Sequence, residues 1–99
     1  MKASMSGLQI VIRGRVQGVG FRFAAMEAAY KYSILGFVKN QGSDSVFICA
    51  EGDPERLDQF VTWCRKGPFG AKVESVEMIT VPVRHFRSFE IVSRDHPTG

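Results

Sequence analysis

The sequence predicts an α+β sandwich, in which a four-stranded antiparallel sheet carries two helices on one face and an additional C-terminal strand at an edge. Two observations support this fold class. The chain has 99 residues, 44% of them hydrophobic and 11% aromatic, which is typical of one globular domain. Short alternating segments surround two segments of helical periodicity, in the order strand, helix, strand, strand, helix, strand, with one further strand. We expect a single domain over residues 1–99, with flexible termini at 1–6 and 94–99.

The first strand is predicted from Leu8 to Gly14, because apolar and polar side chains alternate there with a period of two. A glycine-rich stretch follows. The next segment, Arg22 to Ser33, is rich in alanine and contains no Gly or Pro. Its residues Ala25, Ala29 and Tyr32 recur at helical spacing, so this segment is predicted to form the first helix.

Two short β-type runs come next, Leu35–Asn40 and Ser45–Glu51, separated by four residues that tolerate turn geometry. They are predicted to form a hairpin. The second helix is predicted to open at Asp53-Pro54, a favoured cap followed by proline at the first helical position. Gly67-Pro68 ends it. The apolar stripe of this helix consists of Leu57, Phe60, Val61 and Cys64.

Two further strands are predicted at Lys72–Val81 and Ser88–Ser93. The chain has no apolar run near the ~20 residues that span a bilayer. The first residues, Met1 to Gly7, lack the basic-then-apolar pattern of a secretory signal. We therefore expect a cytoplasmic protein with no membrane contact.

Segment lengths predict where a site could form. The twelve residues of the first helix descend by ~18 Å, and the seven residues from Ile34 to Asn40 climb back by ~23 Å. The loop at residues 15–21, the helix start at Arg22, and Asn40 should therefore converge. Glycines at 18 and 20 allow backbone N–H groups to form an anion-binding nest, beside the positive end of a helix and the Arg22 guanidinium. A tight turn whose glycines serve packing only remains an alternative at this point.

Charge, loop motifs and cysteine content restrict the classes of ligand and site that the sequence can form. The net charge is +3 with a pI near 9.1, which favours an anionic ligand without identifying it. The glycine-rich loop lacks the Gly-Lys-Ser/Thr of a Walker A loop and the Gly-x-Gly-x-x-Gly of a dinucleotide fingerprint. Cys49 and Cys64 have neither the spacing nor the histidine partners of a disulfide framework or a zinc site, so we expect buried or half-buried free thiols.

Two sequence motifs carry a resemblance to a known family. The run GRVQGVGFR, Gly14–Arg22, resembles the signature of the acylphosphatases, and GFVKN, Gly36–Asn40, is similar to the second signature of that family, at matching spacing. The resemblance covers roughly residues 7–93. It continues through Ala50–Gly52, Gly67–Glu74 and Phe89–Ile91.

The resemblance implies a metal-free hydrolase on a ferredoxin-like fold, which uses no cofactor and splits small acyl phosphates into a carboxylate and inorganic phosphate. By the same resemblance, Arg22 and Asn40 are the catalytic residues, Arg22 binding the phosphoryl group and Asn40 positioning the attacking water. Backbone amides of the loop would complete the phosphate site. Its predicted residues are Val16, Gln17, Gly18, Val19, Gly20, Phe21 and Arg22.

Four features depart from the usual pattern of the family. Ser33 replaces a glycine at the end of the first helix, Ser43-Asp44 stands where Asp-Gly is common, and Phe69 replaces a proline. Phe47 stands where a charged residue is usual, and its strand pattern predicts an exposed aromatic ring. With Val11 it could form an apolar patch that pairs two molecules, but single exposed aromatic residues are common, so a monomer is expected.

Two other functions share features with this sequence. An RNA-recognition domain would share the fold, and His85, His96, Arg84, Arg87 and Arg94 form a basic group near the C-terminus. Such a domain needs exposed aromatic residues on both central strands, where the first strand offers none, so no nucleic-acid partner is expected. The second alternative is an acylphosphatase-like domain of a larger carbamoyl-phosphate-handling protein. Because Arg22 and Asn40 are both present and the sequence shows no appended domain, we expect a free hydrolase.

Overall fold

The structure is a computed structural model that describes residues 4–92. Residues 93–99, which include the whole predicted flexible segment at 94–99, lie outside the described residues, as do residues 1–3. Ser6 already opens the first strand. The elements are β1 (Ser6–Arg15), α1 (Phe21–Tyr32), β2 (Leu35–Gln41), β3 (Ser45–Gly52), α2 (Pro54–Lys66), β4 (Lys72–Val81) and β5 (Phe89–Val92).

Within the described residues, the strands form one sheet of five, in the order β4-β1-β3-β2-β5. The neighbours β4–β1, β1–β3 and β3–β2 are antiparallel, while β5 pairs in parallel with β2. The ferredoxin-like α+β fold and the additional C-terminal edge strand are thus confirmed, and the parallel pairing of that strand makes the complete sheet mixed. Because β4 and β5 occupy opposite edges, the connection at residues 82–88 has to cross the sheet.

The core lies between the helices and one face of the sheet. Side chains at alternate positions of β1 and β3, such as Ile10 and Ile48, are fully buried there, as expected when one face of a strand packs against helices. Aromatic rings connect the layers: Phe21 and Trp63 lie 5.3 Å apart edge to face, and Phe60 lies 6.1 Å from Phe89. Burial of each such side chain contributes about 1.5–3 kcal/mol to stability.

The helix ends follow local chemistry. Asp53 caps α2, and its Oδ1 accepts a hydrogen bond from the Glu55 backbone N–H at 3.0 Å, as predicted. Helix α1 begins at Phe21, one residue before the predicted start, and ends at Tyr32 rather than Ser33. Ser33 is the C-cap, with the left-handed φ of 59° that a glycine adopts more easily. Neither helix found in residues 4–92 is long and apolar enough to cross a lipid bilayer.

The prediction of an exposed Phe47 is wrong. Its ring is half-buried on the sheet face away from the helices, 6.0 Å from the ring of Phe37, with Lys39 Nζ 5.6 Å from its centroid. Phe86, on the connection that crosses this face, packs edge to face against Phe37 at 5.8 Å. The connection between β4 and β5 therefore helps to bury the aromatic cluster around Phe47. The alternation of residues along β3 could not indicate this contact.

Both cysteines are buried free thiols, as predicted. Cys64 lies on the buried face of α2, and Cys49 lies in β3 on the face of the sheet away from the helices. Burial raises the pKa of the Cys49 thiol, partly opposed by the positive charge of Arg84. Burial raises the pKa of the Cys64 thiol far above its ordinary value of 9.0.

Candidate active site

A cavity of about 220 Å³ lies where β1 ends, α1 begins and β2 approaches its last residue. Arg22 and Asn40 both line it, together with Gly18 and Gly20. The two sequence signatures therefore meet in space, as the lengths of helix and strand predict. This cavity has both polar groups and exposed apolar side chains on its wall.

The glycines at 18 and 20 are required by backbone conformation and not by packing. Their φ angles are 77° and 76°, and a Cβ added to either would have no protein atom within 4 Å. Gly14, at the end of the same strand, is the opposite case, because a Cβ there would collide with the Lys72 carbonyl oxygen and lie 2.9 Å from the Glu74 backbone nitrogen. The packing-only alternative thus fits Gly14 and does not fit Gly18 and Gly20.

Gln17 fastens the loop to the turn between β2 and β3. Its Nε2 donates to the Ser45 carbonyl oxygen at 2.8 Å and to the Gly42 carbonyl oxygen at 3.1 Å, with the Gln41 carbonyl oxygen at 3.4 Å. The Gly14 backbone N–H also donates to the Asp44 carbonyl oxygen at 3.0 Å. The loop therefore has a fixed position relative to β2, which carries Asn40.

Two of the predicted phosphate-binding residues do not line the cavity. Gln17 directs its side chain to the turn, and Val19 packs against the hydrophobic core. The other predicted residues of the loop and helix start do line it. They are Val16, Gly18, Gly20, Phe21 and Arg22.

The polar groups of the site have no partners in the described part of the chain. Arg22 and Asn40 are half-buried, and across residues 4–92 neither side chain makes a hydrogen bond or an ion pair. The N-cap of helix α1 is Gly20, which provides no side-chain cap. The first N–H groups of the helix therefore point outward with partial positive charge. A guanidinium, free amide donors and a helix N-terminus together favour an anion with several oxygens.

Two apolar residues of the site were not predicted. Phe23 and Ile91 line the cavity and are 56% and 38% exposed. Phe23 directly follows Arg22 in the first turn of the helix, and this position could have indicated that it lies close to the phosphate site. Ile91 is opposite Val38 in the parallel pairing of β5 with β2, a long-range pairing that the local sequence does not specify.

The remaining candidates lie elsewhere. His85 and Arg87 are exposed on the connection between β4 and β5, and do not line the cavity. His96 and Arg94 lie outside the described residues. Over residues 4–92, no three His, Cys, Asp or Glu side chains come together as metal ligands would. A second cavity of about 240 Å³ lies on the opposite face beside Cys49, Glu51 and Arg84.

Comparisons with known proteins agree with the motifs. The acylphosphatase family profile matches residues 8–91. An acylphosphatase of Vibrio parahaemolyticus is 38% identical over 84 residues, which is 85% of this chain and 93% of the relative. The crystal structure of an acylphosphatase from Bacillus subtilis has a TM-score of 0.85 and 33% identity, covering 90% of this chain and 99% of that one.

A larger protein is also similar. The crystal structure of full-length HypF in a phosphate- and nucleotide-bound form matches with a TM-score of 0.84 and 29% identity. The match covers 94% of this chain but only 12% of that protein. The same fold thus occurs both in short acylphosphatases and within one much longer chain.

Proposed function

This chain belongs to the acylphosphatase family, and we propose that Arg22 and the loop amides bind the phosphoryl group of an acyl phosphate while Asn40 orients the attacking water. Hydrolysis of acyl phosphates is the activity of the family. The observation that carries the assignment of residues is the single cavity in which Arg22, the start of α1 and Asn40 meet without protein partners among residues 4–92.

Binding of the phosphoryl group follows from charge and shape. The planar guanidinium of Arg22 presents two parallel N–H donors that match two phosphate oxygens. The N–H groups around Gly18 and Gly20, and the positive end of α1, supply further donors on the neighbouring side. In phosphoryl transfer, negative charge gathers on the equatorial oxygens, so these donors stabilise the transition state.

Asn40 would hold the nucleophile. Its side-chain carbonyl can accept a hydrogen bond from water, while its NH₂ group donates, so it orients water without acting as a strong base. The water oxygen forms a bond to phosphorus as the bond to the acyl oxygen breaks, and that electron pair leaves with the carboxylate. Both hydrogens of the water remain on the inorganic phosphate, so no protein group has to accept a proton.

The mechanism needs neither a general acid nor a metal ion. A carboxylate leaves without protonation, and among the described residues that line the cavity Arg22 is the charged one. The Arg22 guanidinium and the N–H donors would supply the positive charge that a bound cation supplies in other phosphoryl-transfer sites. We infer that hydrolysis is metal-independent.

The similarity to short acylphosphatases, matched over 93% and 99% of their lengths, supports acylphosphatase activity. The similarity to full-length HypF, of which the match covers 12%, keeps a domain within a larger protein as the alternative. Cytoplasmic location, a monomeric state and the absence of a nucleic-acid partner remain predictions.

Release of inorganic phosphate from acetyl phosphate and carbamoyl phosphate, with and without excess chelator, tests the proposal. We expect turnover of acetyl phosphate at the same rate in chelator. A requirement for added Mg²⁺ would contradict the metal-free mechanism. Turnover of carbamoyl phosphate alone would favour the alternative function, and no turnover of either compound would contradict both.

A further inference from the structure

The second cavity, on the sheet face away from the helices, has no part in the proposed reaction. It lies where the connection between β4 and β5 leaves β4 and begins to cross the sheet. It shares no lining residue with the active-site cavity. Its volume of about 240 Å³ exceeds the ~150 Å³ of an apolar cavity that accommodates benzene. A ligand with about six carbon atoms therefore has room in it.

Most of the residues that line this second cavity are apolar. Leu8 and Val81 belong to strands, and Pro82 and Phe86 belong to the crossing connection. Cys49 is 4% exposed and lines it too, and its thiol makes no hydrogen bond among residues 4–92. Apolar side chains from three elements of the fold can thus surround the hydrocarbon part of a ligand and remove it from water.

Glu51 holds the wall that the connection contributes. Its carboxylate accepts hydrogen bonds from the backbone N–H groups of Arg84 and of Phe86. The Phe86 ring also packs edge to face against Phe37, with the ring centroids 5.8 Å apart. Both contacts form without a ligand, so the wall is already ordered and binding has a smaller entropic cost.

The charge that a ligand can reach beside this cavity is positive. Glu51 is buried, and each of its carboxylate oxygens already accepts a backbone N–H. Arg84 is exposed, and across residues 4–92 its guanidinium makes neither an ion pair nor a hydrogen bond. The guanidinium lies 5.1 Å from the centroid of the Phe86 ring. A carboxylate attached to an apolar group could therefore reach Arg84 while that group contacts the ring.

We propose that the second cavity binds a small organic anion, with a hydrocarbon part of about six carbon atoms against Val81, Pro82 and Phe86 and a single carboxylate on Arg84. A straight-chain monocarboxylate such as hexanoate has both parts. Neither Arg22 nor Asn40 takes part, so this site does not depend on the proposed function.

Titration of the isotope-labelled protein with hexanoate, followed by amide NMR, tests the site directly. We expect the amide signals of Cys49, Glu51, Arg84 and Phe86 to shift together. Acetate should bind at least about tenfold more weakly, because burial of two further methylene groups is enough for that difference. Hexanamide has the same chain without the charge and should bind about fivefold more weakly than hexanoate, as expected for loss of one exposed ion pair.

Two variants separate the charge of the site from its volume. Arg84→Gln should weaken hexanoate binding about fivefold and leave hexanamide binding unchanged. Arg87→Gln is the matched control, because Arg87 is exposed on the same connection and does not line the cavity. Cys49→Leu places a larger side chain in the cavity and should weaken the binding of both compounds about tenfold or more. Acetyl phosphate turnover should stay within about twofold in all three variants.

Several outcomes would overturn the proposed site. They are no shift of these four amides, shifts confined to the amides of Gly18 and Gly20 in the active site, equal affinities for hexanoate and hexanamide, and equal loss of affinity in Arg84→Gln and Arg87→Gln. Because Arg84 is a surface residue, its variant keeps the test decisive if Cys49→Leu does not fold. Absence of hydrolysis in the wild type, with hexanoate bound as expected, would contradict the proposed function alone.

Discussion

The side chain of Glu51 is hydrogen-bonded within the protein at one end of the sheet, whereas Arg22 and Asn40 are unpaired among the described residues at the other end, where the active-site cavity lies. At the end of β3 far from the cavity, Glu51 is only 2% exposed, and its carboxylate accepts hydrogen bonds from the backbone N–H groups of Arg84 and of Phe86, the latter at 3.1 Å. At the cavity end, Arg22 and Asn40 are half-buried and have no protein partner among residues 4–92. Both ends bring side chains together from distant parts of the chain.

The Glu51 carboxylate at one end of the sheet stabilises the fold, and the polar groups at the other end are available to bind a ligand. A buried carboxylate is costly unless it is hydrogen-bonded, so Glu51 is held where the connection from β4 to β5 crosses the sheet, and its hydrogen-bonding capacity is used by the protein. Groups that remain unpaired and reachable by solvent can instead bind a ligand. Substitutions at the two ends should therefore fail in different ways, in activity at one end and in stability at the other.

The largest effect is expected from Arg22→Ala. Loss of the guanidinium removes charge stabilisation in both the ground state and the transition state, so kcat/KM should fall on the order of a thousandfold. We expect inorganic phosphate to compete with the substrate for this site in the wild type, and to inhibit Arg22→Ala much less. Arg22→Lys should restore little, because an ammonium group cannot bind two oxygens in parallel. The matched control is Arg56→Ala on the exposed side of α2, with inhibition constants for phosphate measured in all variants.

Asn40→Ala should have a smaller and more selective effect. It removes a positioning group, so kcat should fall on the order of a hundredfold. Phosphate should still bind nearly as well, because Arg22 and the loop amides remain. Calorimetry of phosphate binding to each folded variant distinguishes the two roles. Loss of phosphate binding in Asn40→Ala, with binding retained in Arg22→Ala, would mean that the roles are assigned the wrong way round.

Gly20→Val should weaken phosphate binding about tenfold, since a β-branched residue resists positive φ by about 1–2 kcal/mol. Gly70→Val provides the control, because Gly70 has a φ of 92° and also has no atom within 4 Å of an added Cβ. Both variants should lose similar stability in thermal unfolding. Equal loss of phosphate affinity in the two would show that the loop conformation at Gly20 has no special part in binding.

Glu51→Ala should lower stability and leave catalysis intact. Two backbone N–H groups lose their acceptors, at a cost of about 1–3 kcal/mol, which lowers the Tm of a domain of this size by roughly 4–8 °C per kcal/mol. At 25 °C, kcat/KM for acetyl phosphate should stay within about twofold. Glu27→Ala, on the exposed face of α1, is the control. A large loss of activity in folded Glu51→Ala would mean that the two ends of the sheet are not separate in function.

The smallest effect concerns pH. Burial raises the pKa of Cys49 and Cys64 above the ordinary value of 9.0, so the folded state holds the thiol protons more tightly than the unfolded state. Their contribution to stability is full below the ordinary pKa and declines as pH rises above it. The free energy of unfolding should therefore fall less between pH 8 and pH 10 in Cys49→Ala than in the wild type, as measured by urea denaturation. A steeper fall in Cys49→Ala would contradict this.

Elements with local signals were predictable from sequence. Helix α2 has its cap at Asp53 and its stop at Gly67, and Lys72–Val81 is both the predicted and the observed strand. Helix α1 was misplaced by one residue, because Gly20 caps it through backbone conformation and carries no side chain to indicate it. Capping residues determine where a helix begins and ends, and a glycine N-cap is difficult to recognise in a sequence because it has no side chain that accepts a hydrogen bond.

Features that depend on distant partners were not predictable. The cover over Phe47 comes partly from Phe37, whose ring in turn contacts Phe86 on the crossing connection, and that connection has no periodic pattern. The apolar part of the active-site cavity depends on Ile91, whose place follows from the parallel pairing of β5. The polar part could be predicted because Arg22 and Asn40 lie within two recognisable motifs, and segment lengths alone bring these motifs together.

The hydrogen bonds of Gln17 have a consequence for insertions and deletions in this chain. Short exposed turns usually tolerate additional residues, and the turn at residues 41–44 is exposed. The carbonyl oxygens of Gly42 and Ser45, however, hold the loop through Gln17. A residue added to this turn would move those acceptors apart and release the loop, although it would lie outside both sequence signatures. The length of an ordinary surface hairpin is thereby constrained by a reaction in which none of its residues takes part.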